Sequence, residues 1–182
     1  MTGAAKTRWV ALIGFMGAGK TTVGRALAQR LGWTFCDLDE LIEAREQKTV
    51  AEIFARAGED GFRKMESALL MELLKNATRA NCVIALGGGT FVQPQNRSAL
   101  QKAGAITILL EAPLDELKRR CREAGRTRPL ALDEEHFEQL FAGRRADYAL
   151  AQLCVNTGSK TPEQVATEIE SLLQDKRLKE YR

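Results

Sequence analysis

An α/β fold with a parallel five-stranded sheet flanked by helices is predicted by three features of this sequence. Strand signals and helix signals alternate along the chain, the pattern of repeated βαβ units. Cys82-Val83-Ile84-Ala85-Leu86 is an uninterrupted apolar run, as expected of a central parallel strand buried on both faces. Between the apolar run Trp9–Ile13 and a helical segment lies Gly14-Phe15-Met16-Gly17-Ala18-Gly19-Lys20-Thr21, which fits G-x-x-x-x-G-K-[ST] without mismatch.

The elements follow in order. After the first strand, loop and helix (Thr22–Leu31), Trp33–Cys36 reads as a second strand that ends at Asp37-Leu38-Asp39. A helical pattern runs from Glu40 to about Gln47. Thr49-Val50-Ala51-Glu52 is a capping box that opens another helix through Ala57. Gly58 breaks it, and Asp60 to about Asn76 is amphipathic, with Met65, Leu69, Leu70, Leu73 and Leu74 inward. The apolar run at Cys82 ends at Gly87-Gly88-Gly89. Pro94 opens a helix to about Lys102, Ala105–Leu110 is the fourth strand, and Pro113–Glu123 is helical with proline in its first turn. Asp133–Ala151 is helical, Leu153–Val155 is the last strand, and Pro162–Gln174 is the closing helix. The charged tail, about 175–182, is expected to fray. Between them, about 119–132, Arg119, Arg120, Arg122, Arg126 and Arg128 stand among the breakers Gly125 and Pro129, and this stretch reads as a mobile lid. The whole fits a three-layer P-loop kinase fold in one domain, 1–182, with no internal repeat or interdomain linker.

Composition narrows the class. At 182 residues, 45% apolar and 28% charged, the chain is an ordinary globular one. A net charge of +3 spread over 27 Lys/Arg and 24 Asp/Glu does not argue for nucleic acid; small anionic substrates suffice. Cys36, Cys82, Cys121 and Cys154 lie far apart along the chain and read as reduced thiols, with Cys36, Cys82 and Cys154 in buried strands. His136, the lone histidine, sits in a Glu-rich segment as a surface residue. No segment reaches the ~18 apolar residues of a membrane span. The polar Met1–Arg8 leads into a strand rather than a signal-peptide core, so the expected compartment is the cytoplasm.

Residues able to do chemistry fall just after the strands, where ligands of open α/β sheets bind. In the phosphate loop, glycines let successive N–H groups curl around an anion, and the helix opening near Gly19 adds its positive end. Gly17, Ala18, Gly19, Lys20, Thr21 and Thr22 are the expected ATP-binding residues. Lys20 can reach the β/γ-phosphates, and the Thr21 hydroxyl can ligate Mg²⁺. Asp37 and Asp39, spaced i, i+2, face one crevice if the backbone there is extended. One can hold hydrated Mg²⁺ and the other can accept a hydroxyl proton or hydrogen-bond a polyol; alternatively an aspartate merely caps the next helix. The three glycines at Gly87–Gly89 permit close approach of a ligand to the backbone, or serve a turn that needs positive φ. They stand where many NTPases carry an acidic metal partner, which leaves Asp37 as the candidate. Arg63, at a helix start, can bind a carboxylate bidentately and be oriented by Glu66, or form an ordinary surface pair with it.

Taken together, these motifs resemble those of the shikimate kinases: GFMGAGKTT, the D-x-D of Asp37 and Asp39, G-E-x-x-F-R-x-x-E at Gly58–Glu66, Gly87–Gly89, R-P-L at Arg128–Leu130 and R-x-x-x-Y at Arg144–Tyr148. The resemblance runs from about Trp9 to the closing helix. It implies transfer of the γ-phosphoryl of MgATP to the 3-hydroxyl of shikimate, a step in the biosynthesis of aromatic amino acids. It implies that Asp39 hydrogen-bonds the shikimate hydroxyls and acts as base, and that Asp37 binds Mg²⁺ through water. Arg63 and Arg144 would clamp the carboxylate, with backbone contacts from Gly88 and Gly89. Lys20 and the lid residue Arg128 would meet the transferring phosphoryl, and adenine would lie between Arg120 or Arg122 and the loop Ser159–Pro162. The chain departs from the family at Ala131, where a second Leu is common, and at Arg144-Arg145-Ala146-Asp147-Tyr148, which lacks the usual Pro. Arg145 is therefore a second candidate for the role of Arg144. The partners implied are ATP and shikimate, with no nucleic acid and no membrane, and the chain is expected to be a monomer. The competing readings are another small-molecule kinase acting on gluconate or a nucleotide, a GTP switch (no N-K-x-D is present), and a non-catalytic relative, which would be expected to have lost Lys20, Asp39 or Arg63.

Overall fold

The computed structural model describes residues 8–75, 81–124 and 134–180, with side chains to residue 175 in the last segment. Along the chain run β1 (Trp9–Ile13), α1 (Lys20–Leu31), β2 (Thr34–Asp37), α2 (Leu38–Glu46), α3 (Val50–Lys75), β3 (Cys82–Ala85), α4 (Pro94–Lys102), β4 (Ile106–Glu111), α5 (Leu114–Glu123), α6 (Glu134–Tyr148), β5 (Leu153–Asn156) and α7 (Pro162–Glu180). The strands form one parallel sheet in the order β2-β3-β1-β4-β5. Every residue of β1 and β3 is buried, as their uninterrupted apolar sequences require of strands covered on both faces. Because all strands run the same way, the segments after β1, β2, β3 and β5 gather at one edge of the sheet.

Local sequence explains most of the boundaries. Gly32, in the left-handed region at φ 64, closes α1 with its N–H on Ala28 O and Gln29 O. The capping box forms in both directions: Thr49 N–H donates to Glu52 Oε2 (2.7 Å), and Glu52 N–H donates to Thr49 Oγ1 (3.2 Å). Gly58, at φ 67 and ψ −179, interrupts the helical backbone inside α3, and the part after it buries Phe62, Glu66, Leu69 and Leu70.

Several expectations need correction. β2 is shifted by one residue and ends on Asp37, and α2 begins directly after it, so Asp39 lies in the first turn of a helix rather than in extended chain. Asp37 is the N-cap, and its Oδ1 accepts from Asp39 N–H (3.0 Å); the capping alternative is the one that forms. The final helix does not stop at Gln174 but continues to Glu180, through much of the tail expected to fray. Arg119, Arg120 and Arg122, assigned to the lid, belong to α5, while residues 125–133, with Arg126 and Arg128, lie outside the described residues. Only Cys82 of the three strand cysteines is buried. Cys36 is half-buried and Cys154 exposed, because β2 and β5 are the edge strands. Strand pairing also brings the Cys36 and Cys82 sulfurs to 3.1 Å, a proximity their sequence separation conceals.

Candidate active site

Gly14, Gly17 and Gly19 all adopt positive φ (151°, 80° and 89°), and Ala18 N–H closes the turn on Phe15 O (3.2 Å). Close approach adds a second constraint: a Cβ at Gly14 would stand 2.5 Å from Leu110 O, and one at Gly17 would stand 2.7 Å from Leu117 O. The buried Lys20 folds over the loop and donates to Gly14 O (2.9 Å) and Phe15 O (3.0 Å). Thr22, exposed, donates to Gly19 O. Phe15 leaves the loop sideways, its ring edge-on to Phe137 (5.0 Å) and Phe141 (5.3 Å) of α6.

Next to the loop, Thr21 Oγ1 donates to Asp37 Oδ2 at 2.6 Å. The second carboxylate of the D-x-D turns the other way, toward the glycine triplet. A Cβ at Gly87 would come 2.2 Å from Glu66 Oε1 and 2.8 Å from Asp39 Oδ1. At Gly88 the intruding atom would be Arg144 Nη1 (3.0 Å), and at Gly89 Arg63 Cζ (2.2 Å). None of the three has a left-handed φ. The turn explanation therefore fails, and the close approach is made first of all by the protein's own side chains. Glycine at these three positions is the space in which two carboxylates and two guanidinium groups meet the backbone.

Those side chains hold one another. Arg63 donates to Glu66 Oε2 (2.5 Å) and to Glu59 Oε1 (2.9 Å), with its guanidinium 5.5 Å from the Phe62 ring centre. Glu66 is fully buried and takes its second hydrogen bond from Thr90 Oγ1 (2.6 Å), so the surface-pair alternative is overturned. Burial pushes the Glu66 carboxyl above its ordinary value, against the pull of Arg63 and Thr90. Arg144 is buried against Gly88, its guanidinium 5.8 Å from the Phe15 ring centre, whereas Arg145 is exposed. One helical turn on, Tyr148 donates its hydroxyl to Gly88 O (2.5 Å). Burial pushes the Tyr148 phenol up to about 12, so it remains a donor.

Of the two arginines considered for adenine, Arg120 lies against the phosphate loop. It donates to Thr157 O (2.8 Å) and Thr157 Oγ1 (3.1 Å) after β5, reaches Gly17 O at 3.5 Å, and is steadied by Glu116 (2.8 Å). Arg122 turns instead to Glu134. Thus Lys20, Thr21, Asp37, Asp39, Arg63, Gly88, Gly89 and Arg144 lie around the one sheet edge; Arg128 is outside the described residues. Sequence reasoning missed Thr90 and the hydroxyl of Tyr148. The available signals were the position of Thr90 directly after the glycines and the i, i+4 spacing from Arg144 to Tyr148, which puts both on one helix face.

A family model described as shikimate kinase matches residues 16–174. A shikimate kinase of Geobacter metallireducens is 42% identical over 174 residues, covering 93% of this chain and 94% of that one. One from Cereibacter sphaeroides is 42% identical over 167 residues, covering 90% and 81%. Among solved structures, a shikimate kinase from Acinetobacter baumannii in complex with shikimate superposes with a TM-score of 0.87 at 33% identity, covering 96% of this chain and 97% of that one. A gluconokinase from Sinorhizobium meliloti shares the fold alone, at a TM-score of 0.62 and 15% identity over 97% of this chain and 99% of that one.

Proposed function

The chain belongs to the shikimate kinase family, an ATP-dependent phosphotransferase family acting on shikimate, and from that premise we propose which of its residues do the work. The observation that carries the assignment is the convergence of Asp39, Arg63 and Arg144 on Gly87–Gly89, one strand away from the phosphate loop. Guanidinium groups against two successive glycines suit a carboxylate, and the carboxylate of Asp39 suits hydroxyls. Shikimate carries both functions. With its carboxylate on Arg63 and Arg144, the ring reaches Asp39, and the 3-hydroxyl is turned toward the phosphate loop.

In the transfer, the 3-hydroxyl oxygen forms a bond to the γ-phosphorus as the bond to the β,γ-bridging oxygen breaks. Asp39 takes the hydroxyl proton and ADP leaves. The Lys20 ammonium exchanges its two loop carbonyls for phosphate oxygens, and the loop N–H groups from Gly17 to Thr22 cradle the β-phosphate. Arg120 holds the nucleotide's base side. Arg128 meets the transferring phosphoryl, an assignment that rests on the motif Arg128-Pro129-Leu130 alone. Thr21 Oγ1 and Asp37 Oδ2 are adjacent hard oxygen donors, the set that Mg²⁺ prefers when substrate phosphates complete its shell. Bound there, Mg²⁺ would neutralise phosphate charge.

The same reading has the chain act as one domain, as a monomer in the cytoplasm. It is supported by the lack, among the described residues, of a helix long and apolar enough to cross a membrane, and by Leu150 as their only exposed large apolar side chain. The deciding experiment is an ADP-release assay with shikimate, gluconate and nucleoside monophosphates as alternative acceptors. Turnover with shikimate at least about 10²-fold above the others in kcat/KM is expected, and comparable turnover with gluconate would overturn the assignment.

A further inference from the structure

The segment from Thr90 to Gln93 joins the glycine triplet to α4, and side chains of α4 hold its carbonyls in succession. Asn96 Nδ2 donates to Thr90 O (2.9 Å), and Arg97 Nη1 donates to Phe91 O (2.9 Å) and Val92 O (2.7 Å). Of these ties only Arg97 leaves its own neighbourhood. The same Nη1 reaches Asp147 Oδ1 at 2.9 Å, fifty positions along the chain and near the end of α6. Its guanidinium also lies 5.9 Å from the Phe91 ring centre.

Asp147 is not an arbitrary anchor. Its chain neighbour Tyr148 donates to Gly88 O, and Arg144, three residues earlier, lies against the space at Gly88. On the other flank, Thr90 holds Glu66, which holds Arg63 at Gly89. The bridge therefore spans the two halves of the acceptor site: the glycine loop with Arg63 on one side, and α6 with Arg144 on the other. We propose that the Arg97–Asp147 bridge is a positioning device that sets the spacing between the glycine triplet and Arg144, and with it the width of the carboxylate clamp. Neither residue touches the acceptor. Arg97 and Asp147 act through the backbone of Phe91–Val92 and the end of α6.

Charge supports a fixed rather than a sliding contact. Arg97 and Asp147 expose only 22% and 29% of their side chains, so the pair is partly shielded from water and salt. Two backbone carbonyls and one carboxylate oxygen converge on the single Nη1, so the bond to Asp147 is tied directly to the backbone of Phe91 and Val92.

The inference rests on the assignment of Arg63 and Arg144 to the acceptor carboxylate, and its test separates the two. Asp147→Leu and Arg97→Gln would be compared with wild type for shikimate KM, ATP KM, kcat and thermal midpoint. Asp147→Leu should raise shikimate KM by about 5- to 20-fold, leave ATP KM within about 2-fold, and leave the midpoint near wild type. Asp147→Asn, which keeps an acceptor oxygen in place, should recover most of the loss. Equal changes in both KM values, or a lowered midpoint with shikimate KM unchanged, would overturn the proposal. If Arg97→Gln does not fold, Asp147→Leu decides alone, with Asp147→Asn as its control. A wild-type protein without activity on shikimate would instead sink the parent assignment.

Discussion

Thr21 Oγ1 and Asp37 Oδ2 are 2.6 Å apart, so the last residue of the phosphate loop is hydrogen-bonded to the first acid of the D-x-D. The contact joins the loop after β1 to the residue that closes β2, across the intervening strand β3. Asp37 spends its other oxygen, Oδ1, on the N–H of Asp39. One carboxylate thus fixes both the hydroxyl beside the phosphates and the backbone of the proposed base.

Asp37→Asn should therefore separate metal affinity from architecture. Asparagine is as good an N-cap as aspartate, so the thermal midpoint should stay within a few degrees of wild type. The Mg²⁺ concentration giving half-maximal activity should rise by about 10-fold or more, since one anionic donor is lost. An activity titration with Mg²⁺ at saturating ATP checks this, and an unchanged midpoint in Mg²⁺ would exclude Asp37 from the site.

Asp39→Asn removes the proposed proton acceptor while keeping size and hydrogen-bonding reach. Turnover should fall by about 10²-fold or more with ATP affinity retained, as expected for loss of a general base. Calorimetric titration with ATP alongside steady-state rates distinguishes this from a folding defect. Near-normal turnover would remove Asp39 from its assigned role.

Gly89→Ala and Arg63→Ala should give similar kinetics for different reasons. The alanine variant of Arg63 loses half of the proposed carboxylate clamp. At Gly89, a new Cβ would stand 2.2 Å from Arg63 Cζ and must push the guanidinium aside. Both should raise shikimate KM by about 10- to 10²-fold while ATP KM moves little. Moving the guanidinium also takes the cation away from the fully buried Glu66, so both variants should lower the thermal midpoint as well as raise shikimate KM. Equal effects on the two substrates would argue against the clamp.

Glu66 provides a dependence on pH whose sign can be worked out. Burial holds its carboxyl above the ordinary value of 4.5, so in the folded protein ionisation is harder than in the unfolded chain. The cost is absent below the unfolded value, and stability is lost as pH rises from there through the folded value. Glu66→Gln resembles the protonated side chain and carries no such loss. Its stability relative to wild type should improve between pH 4 and pH 7 in urea titrations. A relative stability that worsens over this range would mean that Arg63 outweighs burial.

How far the site was legible depends on whether a residue's partner lies near it in sequence. The phosphate loop, the capping box at Thr49 and the proline start of α4 are decided within a few residues, and all three form where the local pattern puts them. The D-x-D stands at the expected strand end but on a different backbone, because Asp37 ends β2 by capping α2 and a period-two reading does not register a cap. The glycine triplet reads in sequence as room for a ligand. Its neighbours Glu66, Arg63 and Arg144 come from α3 and α6, and only the folded sheet brings them to it. Glu66 itself has the spacing of a surface partner, since its burial depends on Thr90 across the core. Arg97 gives no signal, because both ends of its bridge are ordinary polar positions until α4 and α6 meet.

Through Phe15 the phosphate loop enters the aromatic cluster of α6, and Arg144 lies over the same ring. The loop is thereby moored to the helix that carries Arg144, the arginine proposed for the acceptor. In amide hydrogen exchange, the loop N–H groups from Gly17 to Lys20 should exchange together with those of α6, as one cooperative unit rather than as a fraying turn. Phe15→Ala should uncouple the two, speeding exchange in the loop far more than in α6. The enzyme would then lose the rigidity that lets two separately built half-sites keep a common frame of reference.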